Sequence, residues 1–324
     1  GPRGGVFVAG ETQSGDFPTQ DPFQTEQLFW DATVTKLWGP LRAHSLAVDA
    51  EGNGVLEPGE VVSMVPTWEN ASGATAALAG TLADFRGPGE PDTNYEITDA
   101  TADYGTVDND TIVSCAARTG DCYSVLVSVP TSRPATHWDG TVREDLPWDD
   151  ARQWVLHVGD SFEDVPQGSP YYRAVETMLH RSVTAGCAPG AFCPRQPTTR
   201  AQMAVFVVRA REGKGYAPPP CGSIPLFGDV PTTSPFCPWI EELARRGVVE
   251  GCGAGKYCPS DPVTREQMAV FVLKTLDPAF VPPSVPTSRF SDVASGNPFL
   301  PWIEELAARG VVVGCGGGRY CPTA

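Results

Sequence analysis

Two hydrophobic rhythms divide this chain. Between roughly residues 28 and 158, apolar and polar positions alternate in short runs broken by turn residues, most clearly at 61–68, 123–129 and 154–158. Alternation of period two marks half-buried strands. About seven or eight such runs in roughly 130 residues predict an all-β, immunoglobulin-like sandwich without helical periodicity. The run from Ser114 to Tyr123, with Cys115 and Cys122 inside it, reads as a hairpin clipped by a disulfide. Residues 1–27 are polar and rich in Gly and Pro, and predict an extended arm in which Val6-Phe7-Val8 could add as a strand elsewhere.

The period changes after residue 158. Trp239, Ile240, Leu243 and Ala244 fall on one helical stripe with Glu241, Glu242, Arg245 and Arg246 opposite, and Gly247 follows as a stop. A second helix opens at Thr264 with Gln267 three positions on, as Thr199 and Gln202 do earlier. That pairing is a capping box, in which Thr accepts an orphan backbone N–H and Gln reaches back to the cap. Met268, Phe271 and Val272 are the expected buried stripe of that helix.

These landmarks repeat. Phe162-x-Asp164-Val165, Phe227-x-Asp229-Val230 and Phe290-x-Asp292-Val293 lie 65 and 63 residues apart. Gly186-Cys187, Gly251-Cys252 and Gly314-Cys315 keep those offsets, as do Cys193-Pro194, Cys258-Pro259 and Cys321-Pro322. Two copies run into Thr-Arg-x-Gln-Met helices, and the third stops before its own. Two short helices cannot bury both apolar faces alone, so the copies are expected to share one core. The predicted organisation is an arm at 1–27, a β-domain at 28–158, and repeats at 159–213, 226–280 and 281–324. A Pro-rich linker at 214–225 separates the first two repeats.

The Phe-x-Asp-Val, helix, Gly, aromatic-x-Pro turn, Thr-Arg-x-Gln, helix pattern resembles the S-layer homology module over roughly residues 160–324. That resemblance implies all-α helix-loop-helix repeats in a pseudo-threefold arrangement, on a secreted bacterial protein anchored at the cell surface to envelope polysaccharide. It also implies that inter-repeat grooves hold an acidic sugar through Arg200 and Arg265, with Trp239 and Trp302 and the loop glycines Gly251 and Gly314. Arginine offers a rigid fork to a carboxylate, and Trp offers a flat apolar face to a sugar ring. The sequence departs from the pattern at Ala174, which stands where repeat one would carry its Trp.

Ten cysteines fall into five close pairs: Cys115/Cys122, Cys187/Cys193, Cys221/Cys237, Cys252/Cys258 and Cys315/Cys321. An even count at repeating spacing suggests disulfides and an oxidising compartment, with metal thiolates as the rival reading. The net charge of −16 lies wholly in residues 1–158, which hold 24 acids and 8 bases; residues 159–324 hold 15 of each. With no basic stripe, nucleic acid is an unfavourable partner. No apolar run reaches the ~18 residues of a membrane helix. The chain opens without an initiator Met or a leader, as a processed product or fragment would.

One acidic segment carries candidate chemistry. Asp49, Glu51, Asn53, Val55, Glu57 and Glu60 occupy alternate or closing positions of a twelve-residue calcium loop, with Gly54 at the turn. Pro58 and the strand pattern from Val61 predict a Ca²⁺ loop on a β-domain rather than between helices. Leu56 would anchor it. The four histidines, His44, His137, His157 and His180, fall in different settings, and no hydrolase or phosphate-loop motif appears. His137-Trp138-Asp139 is the one suggestive cluster, with a structural role as its plainer reading. The chain is read as non-catalytic, an anchoring protein. The alternatives are a self-assembling homo-oligomer or filament subunit, and the C-terminal anchor of a secreted hydrolase.

Overall fold

The computed structural model describes residues 6–12, 31–37 and 40–324, with side chains described from residue 40 onward except at 149 and 150. Two compact units emerge: residues 1–176 with 188–191, and residues 177–187 with 192–324.

The first unit holds eleven strands among its described residues: β1 (Val6–Thr12), β2 (Asp31–Leu37), β3 (Leu41–Val48), β4 (Val61–Asn70), β5 (Ala76–Arg86), β6 (Tyr95–Asp99), β7 (Thr101–Val107), β8 (Thr111–Ser114), β9 (Tyr123–Val127), β10 (Asp139–Leu146) and β11 (Asp150–His157). Strands β11-β10-β5-β7 form one antiparallel sheet; β3-β4-β9-β6, with β8 also on β4, form a second. The expected arm supplies β1, which pairs with β2 in antiparallel register.

Alternation places the core between these sheets. In β10, Gly140, Val142, Glu144 and Leu146 are buried while the odd positions are only partly covered. Val62, Met64 and Trp68 of β4 join Tyr123, Val125 and Val127 of β9 in one cluster with Leu78, Leu82, Val142, Trp154 and Leu156 of the facing sheet. The Trp68 and Trp154 rings meet edge to face with centroids 5.7 Å apart.

The second unit holds α3 (Arg200–Glu212), α4 (Cys237–Arg245), α5 (Arg265–Leu276) and α6 (Leu300–Ala308); α2 (Tyr172–His180) crosses the division between the units. Both capping boxes form, Thr199 with Gln202 and Thr264 with Gln267. Helix α3 packs on α4 and α5, and α5 packs on α6. All five cysteine pairs are disulfides as paired above.

The sequence expectation of an all-β sandwich followed by all-α pseudo-threefold repeats is corrected in three respects. The first unit is not all-β: the expected Cys115 hairpin is a one-turn helix, α1 (Cys115–Arg118), capped by the Ser114 side chain, whose Oγ accepts from the Ala117 N–H. The second unit is not all-α. Its helices run only nine to thirteen residues, and long stretches between them are loops pinned by disulfides and by isolated bridges such as Gly253↔Lys256, Gly316↔Arg319 and Thr199↔Pro262. Prolines without an N–H and glycines at positive φ keep those stretches out of helix. Finally, the copies do not share a single core. One cluster joins α3, α4 and Phe271; another joins Ala269 and Leu273 to α6. Helix α5 thus serves both interiors from different faces.

Candidate functional site

The Thr-Arg-x-Gln signature places Arg at the first position of a helix, next to a capped N-terminus. Arg200 begins α3 and is 7% exposed. Its Nε donates to the Tyr257 carbonyl at 2.8 Å, and its guanidinium lies 4.8 Å from the Tyr257 ring centroid. Tyr257 Oη in turn donates to the Arg200 carbonyl at 2.9 Å. The backbone closes the joint: Arg200 N donates to Asp261 O and Ala201 N to Pro259 O.

The next joint repeats this arrangement. Arg265 Nε donates to Tyr320 O at 2.9 Å, its guanidinium stacks 5.0 Å from the Tyr320 ring, and Tyr320 Oη donates to Arg265 O. Arg265 N and Glu266 N donate to Ala324 O and Pro322 O. Each Thr-Arg helix start is therefore latched to the cysteine loop of the following copy.

The cysteine loops are built for this. Asp229 receives the N–H groups of Tyr257 and Cys258, both at 2.8 Å; Asp292 receives those of Tyr320 and Cys321. Desolvation opposes their ionisation, yet these donors hold both carboxyls below the usual range. Gly251 and Gly314 sit at φ +91° and +93°, where a Cβ would fall 2.3 Å from the carbonyls of Lys256 and Arg319. No other residue type fits there without rebuilding the loop.

The aromatic residues lie elsewhere on the helices. Half-buried Trp239 of α4 receives the Arg209 guanidinium 5.3 Å from a ring centroid. Arg209 sits nine residues along α3 from Arg200, about 13 Å on at 1.5 Å per residue. Trp302 of α6 meets Phe280 edge to face at 6.2 Å. The structure thus brings Arg200 to Tyr257, Arg265 to Tyr320 and Trp239 to Arg209. Tyr257 and Tyr320 are the aromatic residues of the repeated aromatic-x-Pro turn, where repeat one has Phe192; the sequence pattern includes them but assigns them no part in the site.

The acidic loop lies in the first unit. Asp49 Oδ2 accepts from Asn53 N at 2.7 Å and Gly54 N at 3.3 Å, and Asn53 Nδ2 donates to Glu57 Oε1 at 2.7 Å. Leu56 is fully buried in the first core, as expected of an anchor, and β4 follows without a helix. Glu57 is only 4% exposed; burial, then a hydrogen bond with Glu60, pushes its pKa up to about 7.

No helix among the described residues is long and apolar enough to cross a membrane. Comparison with curated proteins finds a cell surface protein of Thermoanaerobacter kivui, 32% identical over 115 residues, and a surface-layer 125 kDa protein of Lysinibacillus sphaericus, 26% identical over 141 residues. These alignments take in 36% and 42% of this chain but only 15% and 12% of the relatives' lengths. Residues 161–204 and 226–269, the spans that hold the matched Asp, Cys and Thr-Arg landmarks, fit the family model of the S-layer homology domain, so the chain carries two S-layer homology repeats.

Proposed function

We propose that this is an extracellular cell-surface protein, held to acidic envelope polysaccharide through its repeats, with no catalytic role. The observation that carries the reading is the twice-built joint in which Arg200 and Arg265 stand at capped helix starts against a rigid cysteine loop. Each Nε donates to a carbonyl and each guanidinium lies on a tyrosine ring, which fixes its plane; we assign the Nη groups to the sugar carboxylate. A preoriented fork loses little freedom on binding. The relatives' surface-layer names fit the same location.

Co-sedimentation of the full chain with purified wall polysaccharide tests this. The wild type should pellet with the glycan. Arg265→Lys, which keeps charge but loses the planar fork, should weaken binding about tenfold or more. A folded wild-type chain that stays in the supernatant sinks the reading.

We infer further that the 49–60 loop takes Ca²⁺ through Asp49, Glu51, Asn53, Val55 O, Glu57 and Glu60. A divalent cation there would favour the ionised form of Glu57, which burial and the hydrogen bond with Glu60 oppose. Calcium should raise the melting temperature of the wild type, and Glu60→Gln should abolish the shift. Equal shifts in both would rule the site out.

A further inference from the structure

The outer face of β10 and β11 gathers groups that the anchoring role does not use. Trp138 points inward, fully buried, its Nε1 donating to Tyr95 Oη at 2.6 Å. Strand alternation then turns His137 and Asp139 to the opposite face. Asp139 is the cross-strand partner of His157 in the β10–β11 register. One carboxylate therefore meets two imidazoles: Asp139 Oδ2 lies 3.0 Å from His137 Nε2, and Asp139 Oδ1 lies 3.0 Å from His157 Nδ1. The two rings are 5.7 Å apart between centroids and steeply inclined, so neither stacks on the other.

The other side of His157 is equally specified. Its Nε2 lies 2.8 Å from Glu176 Oε2, with the His157 and Glu176 side chains 9% and 2% exposed. Glu176 is itself fixed, accepting Ser161 N at 2.9 Å and Ser161 Oγ at 2.7 Å. Arg133 secures the segment that leads into His137. Its guanidinium donates to the carbonyls of Ala135, Thr136, Val158 and Gly159 and to Ser161 Oγ, and it lies 5.1 Å from a Trp138 ring centroid.

We propose that His137, Asp139 and His157 form a zinc site on this sheet, with Glu176 as the carboxylate that orients His157. One nitrogen of each imidazole and an Asp139 oxygen fall within 4.8 Å of one another. Zinc bonds of about 2.0–2.2 Å in tetrahedral array set neighbouring ligand atoms about 3.3 Å apart, close to the 3.0 Å found between nitrogen and oxygen here. Zinc-bound histidines characteristically give their second ring nitrogen to a buried carboxylate, which fixes tautomer and ring plane. His157 has that arrangement, Nδ1 toward Asp139 and Nε2 toward Glu176. Zinc suits this donor set of two imidazoles and a carboxylate. The cysteines do not compete for the metal, since all ten are in disulfides. Loading passes to solvent any protons carried by His137 Nε2 and His157 Nδ1.

The rival account is a metal-free chain of hydrogen bonds with an imidazolium between Asp139 and Glu176. Calorimetric titration of the full, EDTA-treated and dialysed chain with zinc chloride separates the two. One zinc per chain is expected, with a rise in melting temperature and, after cobalt substitution, the strong visible bands of a tetrahedral centre. His137→Gln and His157→Asn should each weaken binding more than tenfold and remove the cobalt bands, while far-UV circular dichroism stays that of the wild type. Glu176→Gln should weaken zinc binding by roughly 10–100-fold, the range seen when a ligand's outer partner is lost. Glu60→Gln should leave it unchanged, which separates this site from the acidic loop. Absence of zinc binding in the wild type, or equal binding by wild type and both histidine variants, overturns the proposal. His137 is about a quarter exposed, so its variant keeps the test decisive if the buried His157 variant misfolds.

Discussion

Glu144 gathers four side-chain donors inside the first core. It is fully buried, and it accepts from Tyr104 Oη at 2.6 Å, Tyr123 Oη at 2.8 Å and Trp154 Nε1 at 2.7 Å, with Trp68 Nε1 at 3.3 Å. Burial raises its pKa, and the four donors work against that rise. Glu144→Leu would leave four buried donors facing hydrocarbon, so we expect a loss of more than about 3 kcal/mol in urea unfolding. The alternation of β10 makes position 144 an inward one, yet a charged residue there reads from sequence as an outward one. Its four partners come from four other strands, between 10 and 76 residues away, and only the fold assembles them. At Asp229 and Asp292 the depressed pKa fixes a sign. Their contribution is present above the usual carboxylate range and is lost as pH falls through the folded-state value. The melting temperature of the second unit should therefore drop on acidification from pH 7 to pH 3, and Asp292→Asn should give a lower and flatter curve. A variant curve parallel to the wild type would remove Asp292 from this account.

Among the elements, α5 departs most instructively from its pattern. A single stripe of Met268, Phe271 and Val272 was expected; the helix instead buries Phe271 in one core and Ala269 and Leu273 in the next. One apolar face is what a helix at the rim of a shared core needs, whereas a helix between two cores must be apolar over most of its circumference. The caps were legible, because Thr and Gln three apart make a local bond that needs no tertiary partner. The latch was not, because Arg200 and Tyr257 are 57 residues apart. The same locality explains the misread Cys115 turn: its disulfide closes a hairpin or a helical turn equally well, and the Ser114 cap decides between them. Leu273 is 1% exposed. Leu273→Ala should cost about 2–5 kcal/mol, measured by denaturant unfolding monitored at 222 nm. An equal loss from Ala substitution at exposed Leu276 would show that burial in the second core is not the cause.

Across the molecule there are two units, residues 1–176 with 188–191 and residues 177–187 with 192–324, and their covalent reinforcement differs as much as their secondary structure. The first unit has one disulfide, Cys115–Cys122; the second has four. The unequal supply follows from the cores. Two sheets facing each other enclose one large apolar cluster, whereas short helices joined by Gly- and Pro-rich loops divide theirs between two smaller ones. Small cores leave more of the chain's conformational entropy uncompensated. By the loop-entropy account, each six-residue closure contributes about 2 kcal/mol and the longer Cys221–Cys237 closure about 3 kcal/mol. Reduction should therefore act mainly on the repeats. In calorimetry with and without a phosphine reductant, the transition that carries the helical signal should move down by tens of degrees or vanish, while the transition that carries the sheet signal moves by only a few. Because Cys252–Cys258 and Cys315–Cys321 frame the loops that receive Arg200 and Arg265, the proposed binding of wall polysaccharide should be lost on reduction while the sheet unit remains folded. Retention of full glycan binding after complete reduction would mean that the latch geometry does not set the affinity.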